Sequence, residues 1–102
     1  NDMILRLLPL AAAAAVAFGT SPAAATGKMT CNAPQKQWKS MARLQADLTK
    51  QGWQVRKAKV DGGCYEVYGT DPQGNRVEAY FHPVSFKKLL VSRRGEVLYR
   101  AK

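Results

Sequence analysis

The chain has 102 residues and a formal net charge of +9, with sixteen basic residues against seven acidic ones. This length allows one domain at most and excludes a multidomain enzyme. The basic balance suits nucleic acid, anionic lipid or an acidic partner, and it is equally compatible with a role in solubility alone.

The first 25 residues are typical of a cleavable signal peptide. Arg6 supplies a positive n-region, and an alanine-rich apolar run follows over residues 7–18. Three alanines at 23–25 offer the small residues that a signal peptidase reads. We therefore predict an exported domain of residues 26–102 with no membrane anchor after cleavage. The alternatives are a buried alanine-rich helix and a retained anchor, although the run is short for about 30 Å of hydrocarbon.

Two cysteines, Cys31 and Cys64, remain after the predicted cleavage. An oxidising compartment and an even count favour one disulfide. A domain this small buries little apolar surface and benefits from a covalent link. The alternative is a pair of buried thiols.

One amphipathic helix is predicted after a polar lead-in. Ser40 is the candidate N-cap, which gives a helix from Met41 to Gln51, although Asn32 with Pro34 offers an earlier start. Gly52 supplies the C-terminal stop. The apolar residues recur at three- and four-residue steps and so share one face; they are Trp38, Met41, Leu44 and Leu48.

The remainder of the chain has the pattern of antiparallel strands joined by tight turns. A shift of apolar phase between Val55 and Ala58 indicates a bulge or twist in the first strand. Turn signals separate the strands at Asp61-Gly62-Gly63, at 71–74 and at Arg94-Gly95. The predicted strands are Trp53–Val60, Cys64–Tyr68, Arg76–Phe81, Phe86–Val91 and Val97–Tyr99. The fold class is therefore α+β, with one helix packed on an antiparallel β-meander of four to five strands.

No constellation of residues supports catalysis or metal binding. His82 is the only histidine and lacks the partners that a catalytic triad or a zinc site needs. Glu66 and Glu78 lie on neighbouring strands, but nearby arginines and lysines make a cross-strand ion pair the simpler explanation. We predict no enzyme activity and no cofactor.

Aromatic residues alternate with basic ones along the strands, a pattern that can stack nucleic-acid bases. Tyrosines in a small sheet more often fill a core, and export argues against a nucleic-acid partner. The basic pairs Lys87-Lys88 and Arg93-Arg94 are read as solvated faces. We expect no specific nucleic-acid binding.

Several short stretches resemble the PepSY domain family. They are Cys31-Asn32-Ala33-Pro34, Trp38, Gly52-Trp53-x-Val55, Gly63-Cys64-Tyr65-Glu66-Val67-Tyr68 and Gly74-x-Arg76-Val77-Glu78-Ala79-Tyr80-Phe81-x-Pro83. The chain is most similar to small stand-alone periplasmic members from proteobacteria. The resemblance implies a helix against an antiparallel sheet and a non-catalytic extracytoplasmic module. It also implies a role in binding or restraining a peptidase, but no peptidase domain follows in this sequence.

The function predicted from these observations is binding or regulation of another exported protein in the periplasm. The sheet surface away from the helix is the candidate interaction surface, because tyrosine and arginine are enriched at binding hot spots. Its predicted residues are Tyr65, Glu66, Tyr68, Arg76, Glu78 and Tyr80. The alternative is an electrostatic binder of an anionic ligand, a lipid surface or an acidic periplasmic protein.

Overall fold

A computed structural model describes residues 28–102 of the protein. The predicted signal peptide and its cleavage site lie outside the described residues. One helix and five strands follow the lead-in, here residues 28–40. They are α1 (Met41–Lys50), β1 (Gln54–Asp61), β2 (Cys64–Thr70), β3 (Arg76–Phe81), β4 (Lys88–Arg93) and β5 (Glu96–Arg100). No helix within residues 28–102 is long and apolar enough to cross a membrane.

The helix begins at Met41, as predicted, and ends at Lys50, one residue before the predicted end, with Gln51 as the C-cap. Ser40 is the N-cap, and its side-chain oxygen accepts a hydrogen bond of 3.1 Å from the Arg43 N–H. At the other end Gly52 adopts a φ of +100°, which a residue with a Cβ rarely adopts. The Trp53 N–H reaches back to the Leu48 carbonyl, closing a Schellman motif that satisfies the last carbonyls.

The five strands form one antiparallel sheet in the order β1-β2-β3-β4-β5. The predicted irregularity in β1 is present, because the β1–β2 register shifts between Val55 and Lys57. β4 begins two residues later than predicted. The Phe86 N–H bonds to the His82 carbonyl and Phe86 has a φ of +63°, so this residue belongs to the connecting turn.

The main core lies between α1 and one face of the sheet. Leu44 and Leu48 are the buried residues of the helix. They belong to one cluster with Trp53 and sheet residues that alternate along the strands, as a half-buried sheet requires; the sheet members are Tyr65, Val67, Val77, Ala79, Phe81 and Val91.

The second face of the sheet is partly covered by the start of the lead-in. Met29 and Cys31 pack against a small cluster of Cys64, Tyr80 and Leu90. The predicted disulfide is confirmed: Cys31 and Cys64 are bonded, with Cα atoms 5.1 Å apart. The Cys31 N–H also donates to the carbonyl of Gly62 at 2.8 Å. The lead-in is thus fixed to the β1–β2 turn by a covalent link and a hydrogen bond.

Loss of the disulfide is expected to lower the free energy of unfolding by about 3–4 kcal/mol, because the bond closes a loop with a sequence separation of 33. That is a large share of the stability of a small domain. The measurement is urea unfolding of the disulfide-bonded protein with and without reductant. A Cys31→Ser/Cys64→Ser variant that unfolds at the same urea concentration as the oxidised protein would contradict the expectation.

Candidate interaction surface

The six residues predicted to form one exposed surface do not lie together on such a surface. Tyr65, Glu66 and Tyr80 are buried, Tyr68 and Glu78 are half-buried, and Arg76 is exposed. The prediction that the whole set is accessible is therefore wrong. The reasons differ for each of the buried side chains.

Tyr65 lies on the helix side of the sheet. Its ring packs edge-on against Trp38, with centroids 5.6 Å apart. Its hydroxyl donates a 2.6 Å hydrogen bond to the Lys39 carbonyl. This tyrosine therefore joins the end of the lead-in to the main core and presents no surface to a partner.

Tyr80 lies on the second face but is fully buried beneath the lead-in. Its hydroxyl donates to the Asp61 carboxylate at 2.8 Å. Removal of this side chain would leave a buried carboxylate without that donor and a cavity beside the disulfide. Tyr80 is a structural residue.

Glu66 is a buried carboxyl group on the second face, with 1% of its side chain exposed. Its Oε1 has no hydrogen-bond partner among the described residues and lies 3.8 Å from the Lys59 Nζ. Burial raises the pKa of Glu66 above its ordinary value of 4.5, and the nearby Tyr68, Lys59 and Tyr80 side chains offset only part of this effect. The Lys59–Glu66 contact is the cross-strand ion pair that the sequence favours.

Tyr68 lies next to this group and is covered on its ring face by cations. The Nζ atoms of Lys57 and Lys59 lie 5.3 and 5.7 Å from its centroid. Burial and the carboxylate of Glu66 raise the pKa of Tyr68 to about 12. The phenol therefore stays protonated at any physiological pH and has no role as a base.

Glu78 is also neutralised by a lysine. Its Oε1 lies 3.1 Å from the Nζ of Lys28, at the start of the lead-in. The register places Glu66 opposite Tyr80 and Glu78 opposite Tyr68, so the two glutamates are not directly paired across the strands. Each glutamate lies close to a different lysine, so an ion pair explains its presence on the sheet.

His82 organises the turn between β3 and β4. Its Nδ1 accepts hydrogen bonds from the backbone N–H groups of Val84 and Ser85, at 3.1 and 3.4 Å. Within residues 28–102 no group of three or more histidine, cysteine, aspartate or glutamate side chains could hold a metal ion.

The two edges of the sheet differ in character. β1 carries Arg56, Lys57 and Lys59 and a bulge, which are features that discourage pairing with another strand. β5 is exposed along its whole length and carries three consecutive apolar residues. Val97, Leu98 and Tyr99 are 48%, 40% and 41% exposed. This edge is the most apolar accessible part of the described sheet.

An arginine-lined hollow lies beside the β4–β5 turn. A groove of about 580 Å³ is lined by Arg76, Arg93 and Arg94 together with Glu96. The same three arginines and Arg56 line a smaller adjoining hollow. We call these four residues the arginine groove. The sequence contains the signal in Arg76 and the Arg93-Arg94 pair, but only the strand register brings them together.

The buried Glu66 gives a testable dependence on pH. Because its pKa is raised in the folded protein, the folded state favours the protonated carboxyl, and this favourable contribution is lost as pH rises from 4.5 through the folded pKa. We expect Glu66→Gln to be at least as stable as the wild type at pH 7. The difference in unfolding free energy between the variant and the wild type should shrink as pH falls toward 4.5. Urea unfolding between pH 4 and pH 8 measures the difference.

The matched control is Glu96→Gln, which removes an exposed carboxylate at the start of β5. Its stability relative to the wild type should change little over the same range, because exposed charges contribute little. A Glu66→Gln variant that is clearly less stable at pH 7 than at pH 4.5, relative to the wild type, would show that the charged carboxylate is favoured.

Comparison with known proteins agrees with the fold. The family model described as peptidase propeptide and YPEB domain, of the PepSY type, matches residues 9–90. No curated protein and no solved structure matches the chain. The matched range extends from within the predicted signal peptide into β4 and includes the helix and the first three strands. The chain therefore belongs to the PepSY family.

Proposed function

We propose that this protein is a non-catalytic periplasmic module that binds an extended segment of another exported protein along β5. The observation that carries the proposal is the free apolar edge of the sheet, formed by Val97, Leu98 and Tyr99. Membership of the PepSY family supports a binding or regulatory role.

The backbone of β5 offers hydrogen-bonding groups to such a segment. The Ala101 N–H donates inward to the Leu89 carbonyl. In an antiparallel ladder the inward and outward groups alternate, so the backbone groups of Arg100 point away from β4. An added strand would satisfy outward groups of this kind, and the exposed apolar side chains would give it contact area.

The second face of the sheet is a weaker candidate. Its centre is occupied by the lead-in, and its carboxylates at Glu66 and Glu78 are paired with lysines. A partner would have to displace a disulfide-anchored segment to reach Tyr80. The free edge needs no such rearrangement.

A photo-activated cross-linking residue at position 97 tests the proposal in the periplasm. We expect it to yield a discrete cross-linked product with an exported protein. The same residue at position 60 is the control, because Val60 is a 51% exposed valine on the opposite edge strand. Equal products from both positions, or none from position 97, would contradict the proposal.

Charge on the edge should weaken the complex identified in this way. We expect Val97→Lys to raise the Kd by about tenfold or more, because an edge lysine opposes pairing with a further strand. Val60→Lys should leave the Kd nearly unchanged. Both variants should retain the wild-type melting temperature, since both valines are exposed.

A further inference from the structure

The arginine groove has an excess of unpaired positive charge. Among residues 28–102 no carboxylate lies within 4.0 Å of any of its four guanidinium groups. Within the same residues, the one side-chain hydrogen bond from these arginines runs from the Arg93 Nη1 to the Asn75 Oδ1, at 2.9 Å. Glu78, which lines the smaller hollow, is already engaged by Lys28. Glu96 is the other carboxylate on its walls.

The strand register explains why these arginines converge. Glu78 on β3 lies opposite Ser92 on β4, so continuing the ladder by two residues brings Arg76 level with Arg94. Arg56 stands at the bulge of β1, near the same end of the sheet. Four like charges gathered at one end repel one another, and an anion in the groove would relieve that repulsion.

The conformation of Arg94 is a second, independent feature. Arg94 has a φ of +52° and Gly95 a φ of +83°, so both residues of the tight turn are left-handed. Asparagine or aspartate followed by glycine is preferred in such a turn, and a long side chain in this conformation is strained. Strain of this kind is concentrated at functional sites. The turn holds a guanidinium at the groove despite an unfavourable backbone conformation.

The groove is continuous with the free edge of the sheet, because Glu96 both begins β5 and lines the groove. A strand added antiparallel to β5, as every pair in this sheet is, would run from the Arg100 end toward the Glu96 end. Two or three further residues would span about 7–10 Å at 3.3 Å per residue. That distance is comparable with the two strand spacings, at about 4.8 Å each, that separate an added strand from β4, which ends at Arg93 beside Arg94.

We propose, on the basis of the function proposed above, that the segment bound along β5 is acidic on its C-terminal side and that the arginine groove binds its carboxylates. Guanidinium groups match carboxylates with two parallel hydrogen bonds, and this pairing fixes direction as well as position. The groove therefore determines both the chemistry and the polarity of the partner segment.

Three synthetic peptides test this inference with the exported protein. All share one strand-forming segment of alternating threonine and valine, followed by glutamates, preceded by glutamates, or followed by glutamines. We expect the peptide with C-terminal glutamates to bind about tenfold more tightly than the other two, with an advantage that decreases at high salt. Equal binding of the two glutamate peptides would overturn the assigned polarity.

Charge variants test the residues. Arg76→Gln/Arg94→Gln should remove most of the preference for the C-terminal glutamates. The control Lys36→Gln/Lys50→Gln removes the same two charges from exposed positions at the lead-in and α1 and should retain the preference. Arg94→Asn should weaken binding while maintaining or raising the melting temperature, because asparagine suits the turn. Equal loss in the control pair would show a net-charge effect and overturn the inference.

The remaining outcomes separate this inference from the proposed function. Glutamine and glutamate peptides that bind equally, and lose binding together in Val97→Lys, would uphold docking on β5 and overturn the arginine assignment. Glutamate peptides that bind through the arginines regardless of Val97→Lys would overturn docking on β5, and with it the inference built on that docking. Vesicles containing anionic phospholipid that bind through Arg76 and Arg94 in place of the peptides would show a phosphate site and overturn the inference.

Discussion

The disulfide between Cys31 and Cys64 is the constraint on which the arrangement of the sheet depends. One helix of ten residues covers one face of five strands, and the other face carries Tyr80 and Leu90, which also need cover. The lead-in supplies it at Met29 and Cys31. This part of the lead-in, residues 28–34, has no helix or strand of its own to hold it there. The covalent link and the hydrogen bond from Cys31 to Gly62 keep it in place.

Features with local causes could be predicted from the sequence. The N-cap at Ser40, the glycine stop at Gly52 and the bulge in β1 each depend on a few neighbouring residues. How much of the second sheet face stays accessible depends instead on a contact between distant segments, the lead-in and the sheet. The alternation of residues along β3 predicts that Tyr80 faces away from the helix, and it does. No periodicity in the lead-in indicates that the lead-in packs across that face of the sheet.

The arginine groove also depends on contacts between distant segments and could not be predicted from the sequence. Arg93-Arg94 is visible as a charged pair in the sequence and is most simply read as solvent-exposed. This pair lies close to Arg76 and Arg56 only because of the register of three strand pairs and the bulge in β1. A change of register by one residue in a strand would move all of its side chains to the opposite face. Convergence of charge is therefore a property of the sheet and not of any segment.

Stability and the proposed recognition consequently occupy different parts of this small domain. The centre of the second face is covered by the lead-in. Burial opposes ionisation of the Glu66 carboxyl there, and the neighbouring side chains offset only part of that effect. Among the described residues, the accessible features on which the proposal rests are peripheral: the apolar edge at β5 and the basic groove at the adjoining turn. An edge supplies backbone pairing that is nearly independent of sequence. In the proposed function, selectivity comes from side chains next to that edge, and the guanidinium groups beside Glu96, which have no carboxylate partner among residues 28–102, are the strongest such feature.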